Sequence, residues 1–219
     1  MGHPAIGLLI AYLAGSIPAA YVAGRAVRGI DLRQHGSGNL GATNVYRLLG
    51  PRVAAAVLLF DAAKGALPVL LLPRALPSSE PLLWAIAYGV AAIVGHVRPI
   101  FLLWKGGGKG VATAAGVFLA LVPIPFLVAT IAFALVLRLS GYVSLASLTA
   151  AAVLPAAVLA RNGPASPVFA MSVAIGIFVF WTHRANIGRL RRGEESRFGR
   201  GGASAPGAAV NGGTTGRQA

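Results

Sequence analysis

The sequence predicts an all-α, polytopic integral membrane bundle of about seven transmembrane helices, with the amino terminus outside and the carboxyl terminus cytoplasmic. Three observations carry this expectation. Of 219 residues, 56% are hydrophobic and only 11% charged, with a mean hydropathy of +0.74, whereas an ordinary soluble domain is roughly a quarter charged. Uncharged windows at 5–23, 111–137, 139–160 and 162–182 are each near or above the roughly 20 residues that cross a bilayer core. The basic residues, finally, are gathered into a few connections. Nineteen Lys and Arg against five Asp and Glu give a net charge of +14, which in a soluble protein would point to nucleic acid; with this hydropathy it points to a membrane surface. The chain has no cysteine, which excludes disulfides, thiolate nucleophiles and Cys-based metal sites.

The expected spans are 5–24, 53–72, 81–97, 111–137, 139–160 and 164–182. No basic residue precedes the first apolar run and Pro18 lies inside it, so it reads as a mature span and not as a cleaved signal. Arg25, Arg28, Arg33, Arg47 and Arg52 occupy the first connection. Arg98, Lys105 and Lys109 follow the third span, and Arg184, Arg189, Arg191, Arg192, Arg197 and Arg200 follow the last. The positive-inside rule places these three segments in the cytoplasm. A single crossing by 111–137 would put the last six basic residues outside, so the run is expected to cross twice, turning at Pro123 and Pro125, where proline removes a backbone donor. Each half would then be only about 12 residues, or about 18 Å. In the second span Asp61 and Lys64 stand at i and i+3, on one helix face, and are expected to pair with each other or to face the bundle interior, as a neutralised pair that locks helices in preference to a direct catalytic role.

Three polar segments carry the chemistry. The first, 35–44, reads His-Gly-Ser-Gly-Asn-Leu-Gly-Ala-Thr-Asn and is followed by Arg47. Its G-x-G-x-x-G spacing with Asp61 twenty residues on resembles a dinucleotide fingerprint, but that motif needs a strand before it and a βαβ unit around it. What remains is an anion nest of glycine N–H groups, with donors on Ser37, Asn39, Thr43 and Asn44 and a bidentate grip from Arg47. The second, 104–113, holds Lys105, three glycines and Lys109 at the start of a helix; Gly110 follows the lysine, so it is not a Walker A sequence. In the third, His183 and Asn186 share a helical face among arginines, with Glu194 beyond.

The 36–44 stretch with Arg47, the 105–113 stretch after Gly95 and His96, the 141–147 stretch Gly-Tyr-Val-Ser-Leu-Ala-Ser, and His183-Arg-Ala-Asn-Ile with Glu194 together resemble the bacterial acyl-phosphate:glycerol-3-phosphate acyltransferases. One departure is that three glycines separate the lysines where the family pattern has two. The resemblance implies transfer of a fatty acyl group from acyl phosphate to the 1-hydroxyl of glycerol 3-phosphate, giving lysophosphatidic acid and phosphate. It implies a catalytic set of Ser37, Arg47, Lys109, His183 and Asn186, and substrate or phosphate binding by Gly38, Asn39, Thr43, Asn44, Lys105, Gly108, Ser144 and Ser147, with no metal and no cofactor. The setting it implies is the bacterial inner membrane with the site facing the cytoplasm, and the partners are the two substrates, membrane lipid and the enzyme that supplies acyl phosphate. Residues 1–198 would form the membrane acyltransferase domain and 199–219, rich in Gly, Ala, Ser and Thr, a disordered cytoplasmic tail.

The H-x-x-x-x-D pair of acyl-CoA-dependent glycerolipid acyltransferases is absent, since the fifth residues after His3, His35, His96 and His183 are Leu8, Leu40, Phe101 and Gly188. The alternative from another class is a transporter of a phosphorylated solute or lipid, with the glycine loops as unwound segments. Against it, the polar motifs sit at one face without inverted-repeat pairing. A nucleic-acid binder would want aromatic residues among the cations, and the basic loops hold few.

Overall fold

The structure, a computed structural model, describes residues 3–199; the expected tail lies outside them but for its first residue. The described residues contain no strand and form helices α1 (Pro4–Ser16), α2 (Ala19–Arg28), α3 (Ala42–Leu49), α4 (Pro51–Ala75), α5 (Pro81–Val97), α6 (Val111–Leu121), α7 (Pro123–Ser140), α8 (Val143–Asn162), α9 (Pro167–Thr182) and α10 (Arg184–Arg191). Proline opens α1, α4, α5, α7 and α9. Its fixed φ suits the first helical position, where its missing N–H would have had no partner.

Prolines also break two runs. The first span, expected as one helix over 5–24, divides into α1 and α2 at Ile17 and Pro18 and continues to Arg28, because Pro18 has no N–H to give the carbonyl one turn back. The 111–137 run divides at Val122, just ahead of Pro123 and not between the two prolines. The halves are therefore unequal: α6 has 11 residues and α7 has 18, ending at Ser140 rather than 137. The next helix accordingly starts at Val143, not at 139.

Among the described residues five segments are long and apolar enough to cross a membrane: Pro4–Arg28, Pro51–Ala75, Pro81–Leu102, Pro123–Ser140 and Val143–Asn162. Taken together across their 57° bend, α9 and α10 make a sixth. The shorter α6, about 16 Å long, does not qualify alone.

Helices meet through small residues, as van der Waals packing between lipid-facing helices requires. Where α1 crosses α5, a methyl on Gly15 would overlap the Ala92 carbonyl and one on Gly95 the Tyr12 carbonyl; where α4 crosses α6, the same holds for Gly65 against Thr113 and Gly116 against Ala62. Leu59, Leu71, Ile131, Leu135 and Ile177 are exposed on the outside, while Asp61, Lys64 and His96 are buried. This distribution is that of a bundle solvated by hydrocarbon.

Asp61, 1% exposed, forms an ion pair with Lys64 at 2.8 Å, as their spacing predicts. Lys64 Nζ also donates to the Ile17 carbonyl at 2.8 Å, capping the backbone freed where α1 stops. An apolar cluster, Leu32, Leu40 and Val45 against Ala54 and Val57, seats the 29–41 loop and α3 on the first turns of α4. Asp61→Ala strands a buried ammonium and is expected to destabilise the fold by about 3 kcal/mol or more. Asp61→Asn combined with Lys64→Met removes both charges and should lose much less. Thermal unfolding in detergent reads the difference.

Candidate active site

The first loop is held from within. Asp31 takes the Arg33 guanidinium in a fork, with Nη2 at 2.6 Å from Oδ2 and Nε at 3.0 Å from Oδ1. The hydrogen bonds from Arg33 hold the Asp31 carboxyl down at about 2. The guanidinium also lies 5.1 Å from the centre of the Tyr21 ring and reaches the Lys105 carbonyl at 3.4 Å, tying the first loop to the glycine loop.

Asn44, fully buried, donates to the carbonyls of Leu32 at 3.3 Å and His35 at 3.1 Å, and accepts the Ser37 N–H at 3.0 Å. The Gly38 N–H turns inward as well, to the His35 carbonyl at 3.1 Å. Two N–H groups of the expected anion nest are therefore spent on the loop itself, and the Asn44 carboxamide is its clamp rather than a free donor. Gly36 accepts this with a φ of 61°, and a methyl there would overlap Asn44 Oδ1. What faces outward is the exposed Ser37 side chain, half-buried Asn39 and Thr43, and the first turn of α3, whose leading N–H groups have no intrahelical partner.

The second and third segments meet. Lys109, just ahead of α6, donates to Asn186 Oδ1. Asn186 Nδ2 donates to Glu195 Oε1 at 2.6 Å, and Glu195 Oε2 accepts Arg189 Nε at 2.6 Å. Burial lowers the Lys109 ammonium to about 8, with Glu195 opposing and the charges of Arg189 and Arg47 adding to the fall. Arg47, exposed in the last turn of α3, is thus within electrostatic reach of Lys109. Burial on its own would raise the Glu195 carboxyl, but hydrogen bonds from Asn186 and Arg189 hold it below the usual range.

His183, 3% exposed at the bend between α9 and α10, is lowered to about 4, first by burial and then by the Lys109 charge. Its imidazole is therefore neutral at pH 7. With Nδ1 at 2.8 Å from the Val179 carbonyl, the ring proton belongs on Nδ1, which leaves Nε2 as an acceptor. Ser144 Oγ is buried near the Glu195 carboxylate and helps to favour its charged form. Ser147 Oγ is occupied, donating to the Val143 carbonyl at 2.8 Å.

Two sequence expectations shift. Lys105 is exposed and joins this network only through its carbonyl. The glycine run absorbs its third member without displacing Lys109, because Gly106 takes a turn at φ 77° while Gly107 and Gly108 lie against the end of α5. Glu194 is at the surface, 2.7 Å from Arg192, and the carboxylate turned inward is Glu195. The chain reverses at Gly193, φ 72°, which carries residue 195 back over Asn186 and Arg189. The strap continues: the Phe198 N–H donates to the Gly141 carbonyl at 2.7 Å, its ring stacks on Tyr46 at 4.4 Å, and Arg197 covers Tyr142. Among the described residues no cluster of three or more His, Asp or Glu forms a metal cage.

Beside the site, between α5 and α9, runs an apolar groove of about 650 Å³ lined by Val94, Val97, Met171, Phe178 and Trp181, with Arg98 at one end. Gly110, next to Lys109, borders Ile93, Val97 and Phe178, so the groove opens beside the cations.

Scaffold and site together define an integral membrane protein whose helices gather cations and amides beside a hydrocarbon-lined groove. Residues 5–193 match the family described as glycerol-3-phosphate acyltransferase. A glycerol-3-phosphate acyltransferase of Geotalea daltonii is 48% identical over 192 residues, covering 87% of this chain and 95% of that one. One of Myxococcus xanthus is 47% identical, covering 87% and 97%. A crystal structure of PlsY (YgiH), an integral membrane glycerol 3-phosphate acyltransferase in its glycerol 3-phosphate form, superimposes with a TM-score of 0.80 at 36% identity, covering 90% of this chain and 96% of that one; a lysophosphatidic acid form of it matches equally well. The chain belongs to the glycerol-3-phosphate acyltransferase family and is an integral membrane acyltransferase.

An amine-reactive probe should label Lys109 with a midpoint near pH 8, well below the roughly 10.4 of an ordinary lysine. Glu195 favours the charged form, so Glu195→Gln should lower that midpoint further. Peptide mass spectrometry across pH reads both.

Proposed function

We propose that the protein transfers a fatty acyl group from acyl phosphate to the 1-hydroxyl of glycerol 3-phosphate, releasing lysophosphatidic acid and phosphate. The observation that carries this reading is the convergence on Lys109 of Asn186, His183 and the field of Arg47, beside a groove suited to an acyl tail. Both substrates carry phosphate, and cations in a partly dehydrated site hold phosphate oxygens and stabilise the charge that develops during transfer. The substrate hydroxyl attacks the acyl carbonyl carbon, the bond from that carbon to the phosphate oxygen breaks, and phosphate leaves.

The donor is already activated, so an acyl-enzyme adds little, and Ser37 serves to position phosphate or hydroxyl. A group lowered to about 4 is a weak base at neutral pH. A phosphate dianion, with a second pKa near about 6, is better matched to the operating pH. The hydroxyl proton therefore passes to substrate phosphate while His183 Nε2 orients the hydroxyl. Asn186 holds Lys109, Asn44 holds the Ser37 loop, and Gly38, Asn39, Thr43, Gly108, Ser144, Ser147 and Lys105 line or support the phosphate sites.

The setting we propose is the bacterial inner membrane, with seven crossings, the amino terminus outside and the site facing the cytoplasm, where the enzyme that makes acyl phosphate supplies the donor. Membranes given labelled glycerol 3-phosphate should form product with acyl phosphate and not with acyl-CoA. Lys109→Ala and Arg47→Ala should abolish turnover, a loss of about 3 kcal/mol or more of transition-state stabilisation each; Lys105→Ala and Arg192→Ala, both at the exposed surface, should retain activity. A fast-forming labelled acyl-Ser37 adduct would refute direct transfer. For topology, a cysteine at Ile124, exposed at the break between α6 and α7, should react with an impermeant thiol reagent from outside only.

A further inference from the structure

Asp61, Lys64 and His96 are buried, and the transfer reaction proposed above uses none of them. They meet at one point behind the glycine run. Asp61 Oδ1 lies 2.8 Å from Lys64 Nζ and 3.6 Å from His96 Nδ1. All three border a cavity of about 10 Å³ whose other walls include Ser16, Gly107 and Gly108. His96, in the last turn of α5, faces the run with two groups at once. Its carbonyl accepts the Gly108 N–H at 3.3 Å. Its ring lies flush on the Gly108 Cα: the three atoms that a methyl there would meet first all belong to the His96 ring. At Gly107 the obstruction is different, being the carbonyls of Val97 and His96. The residue after Gly108 is Lys109.

We propose that His96, beside Asp61, is a positioning residue whose carbonyl and ring together seat Gly107 and Gly108 so that Lys109 enters the site at Asn186. His96 makes no hydrogen bond to Lys109, Asn186 or His183 among the described residues; it acts through the backbone of the loop. Lys64 pairs with Asp61 in the bundle, and its bond to the Ile17 carbonyl ties this support to the break in the first span. The inference rests on Lys109 serving the acyl transfer proposed above, so its test first separates the two.

Purified wild-type protein in lipid is assayed with acyl phosphate and labelled glycerol 3-phosphate. Absence of product refutes the acyl-transfer reading, whatever His96 does. With the wild type active, His96→Ala and Gly108→Ala are each expected to lower kcat/KM at least tenfold while the unfolding midpoint in detergent stays within a few degrees. Because the three atoms nearest a methyl at 108 all belong to the His96 ring, the His96→Ala, Gly108→Ala double variant is expected to be more active than Gly108→Ala. Gly107→Ala, blocked by carbonyls, is expected to gain nothing from His96→Ala. The coupling between 96 and 108 is the readout that a general loss of stability would not move.

Three outcomes overturn the proposal. One is His96→Ala within twofold of wild type. Another is multiplying losses in the 96/108 double variant. The last is a loss in His96→Ala that tracks a collapse of the unfolding midpoint, which would make His96 a residue of the fold only.

Discussion

The arrangement turns on keeping one ammonium charged but unquenched in a partly dehydrated place. Lys109 needs a counter-charge, since burial disfavours its ionised form, yet a carboxylate in direct contact would quench it and, in the reaction proposed above, occupy the position of phosphate. The structure interposes Asn186: its carboxamide oxygen receives Lys109 and its NH2 reaches Glu195. Glu195 is at the same time shared with Arg189. The carboxylate is thereby felt by Lys109 as a field rather than as a ligand. The same field reaches His183 and opposes the neutrality of its ring, which burial first and the Lys109 charge second maintain.

Everything around this pair serves rigidity. Asn44 spends its whole carboxamide on the first loop, Arg33 and Asp31 lock that loop to the carbonyl of Lys105, and a buried ion pair backs the glycine run. These are costly ways to hold a loop in water, but at the end of a lipid-solvated bundle they are economical. A hydrocarbon exterior gives helices no hydrophobic reason to associate, so close backbone approach at Gly15, Gly65, Gly95 and Gly116 and buried polar contacts do that work instead.

Much of this was legible in the sequence. The all-helical membrane character followed from hydropathy, the interior pairing of Asp61 and Lys64 from their i,i+3 spacing, and the division of the 111–137 run from its prolines. The position of that division was not: a helix stops before the first proline whose N–H it would have needed, so the break fell at Val122 and gave α7 nearly all the length. The Pro18 break escaped the hydropathy reading because an apolar window looks the same whether its helix is continuous or not. Glycine content suggested a nest of free N–H groups at 36–38, but whether an N–H faces out or in depends on which side chain lies beneath it, here Asn44, seven residues beyond Ser37. Glu195 was passed over for its neighbour because two adjacent glutamates after a glycine are separated only by the direction of the chain reversal at Gly193.

The strap made by residues 195–198 has a consequence for how the protein comes into being. It is synthesised after all ten helices, and it supplies the carboxylate behind Asn186, the aromatic face on Tyr46 and the bond to the Gly141 carbonyl. Until it docks, Lys109 has its neighbouring positive charges but not its balancing negative one. The charge balance around Lys109 is therefore complete only once the residues after the final helix have folded back over Asn186 and Arg189.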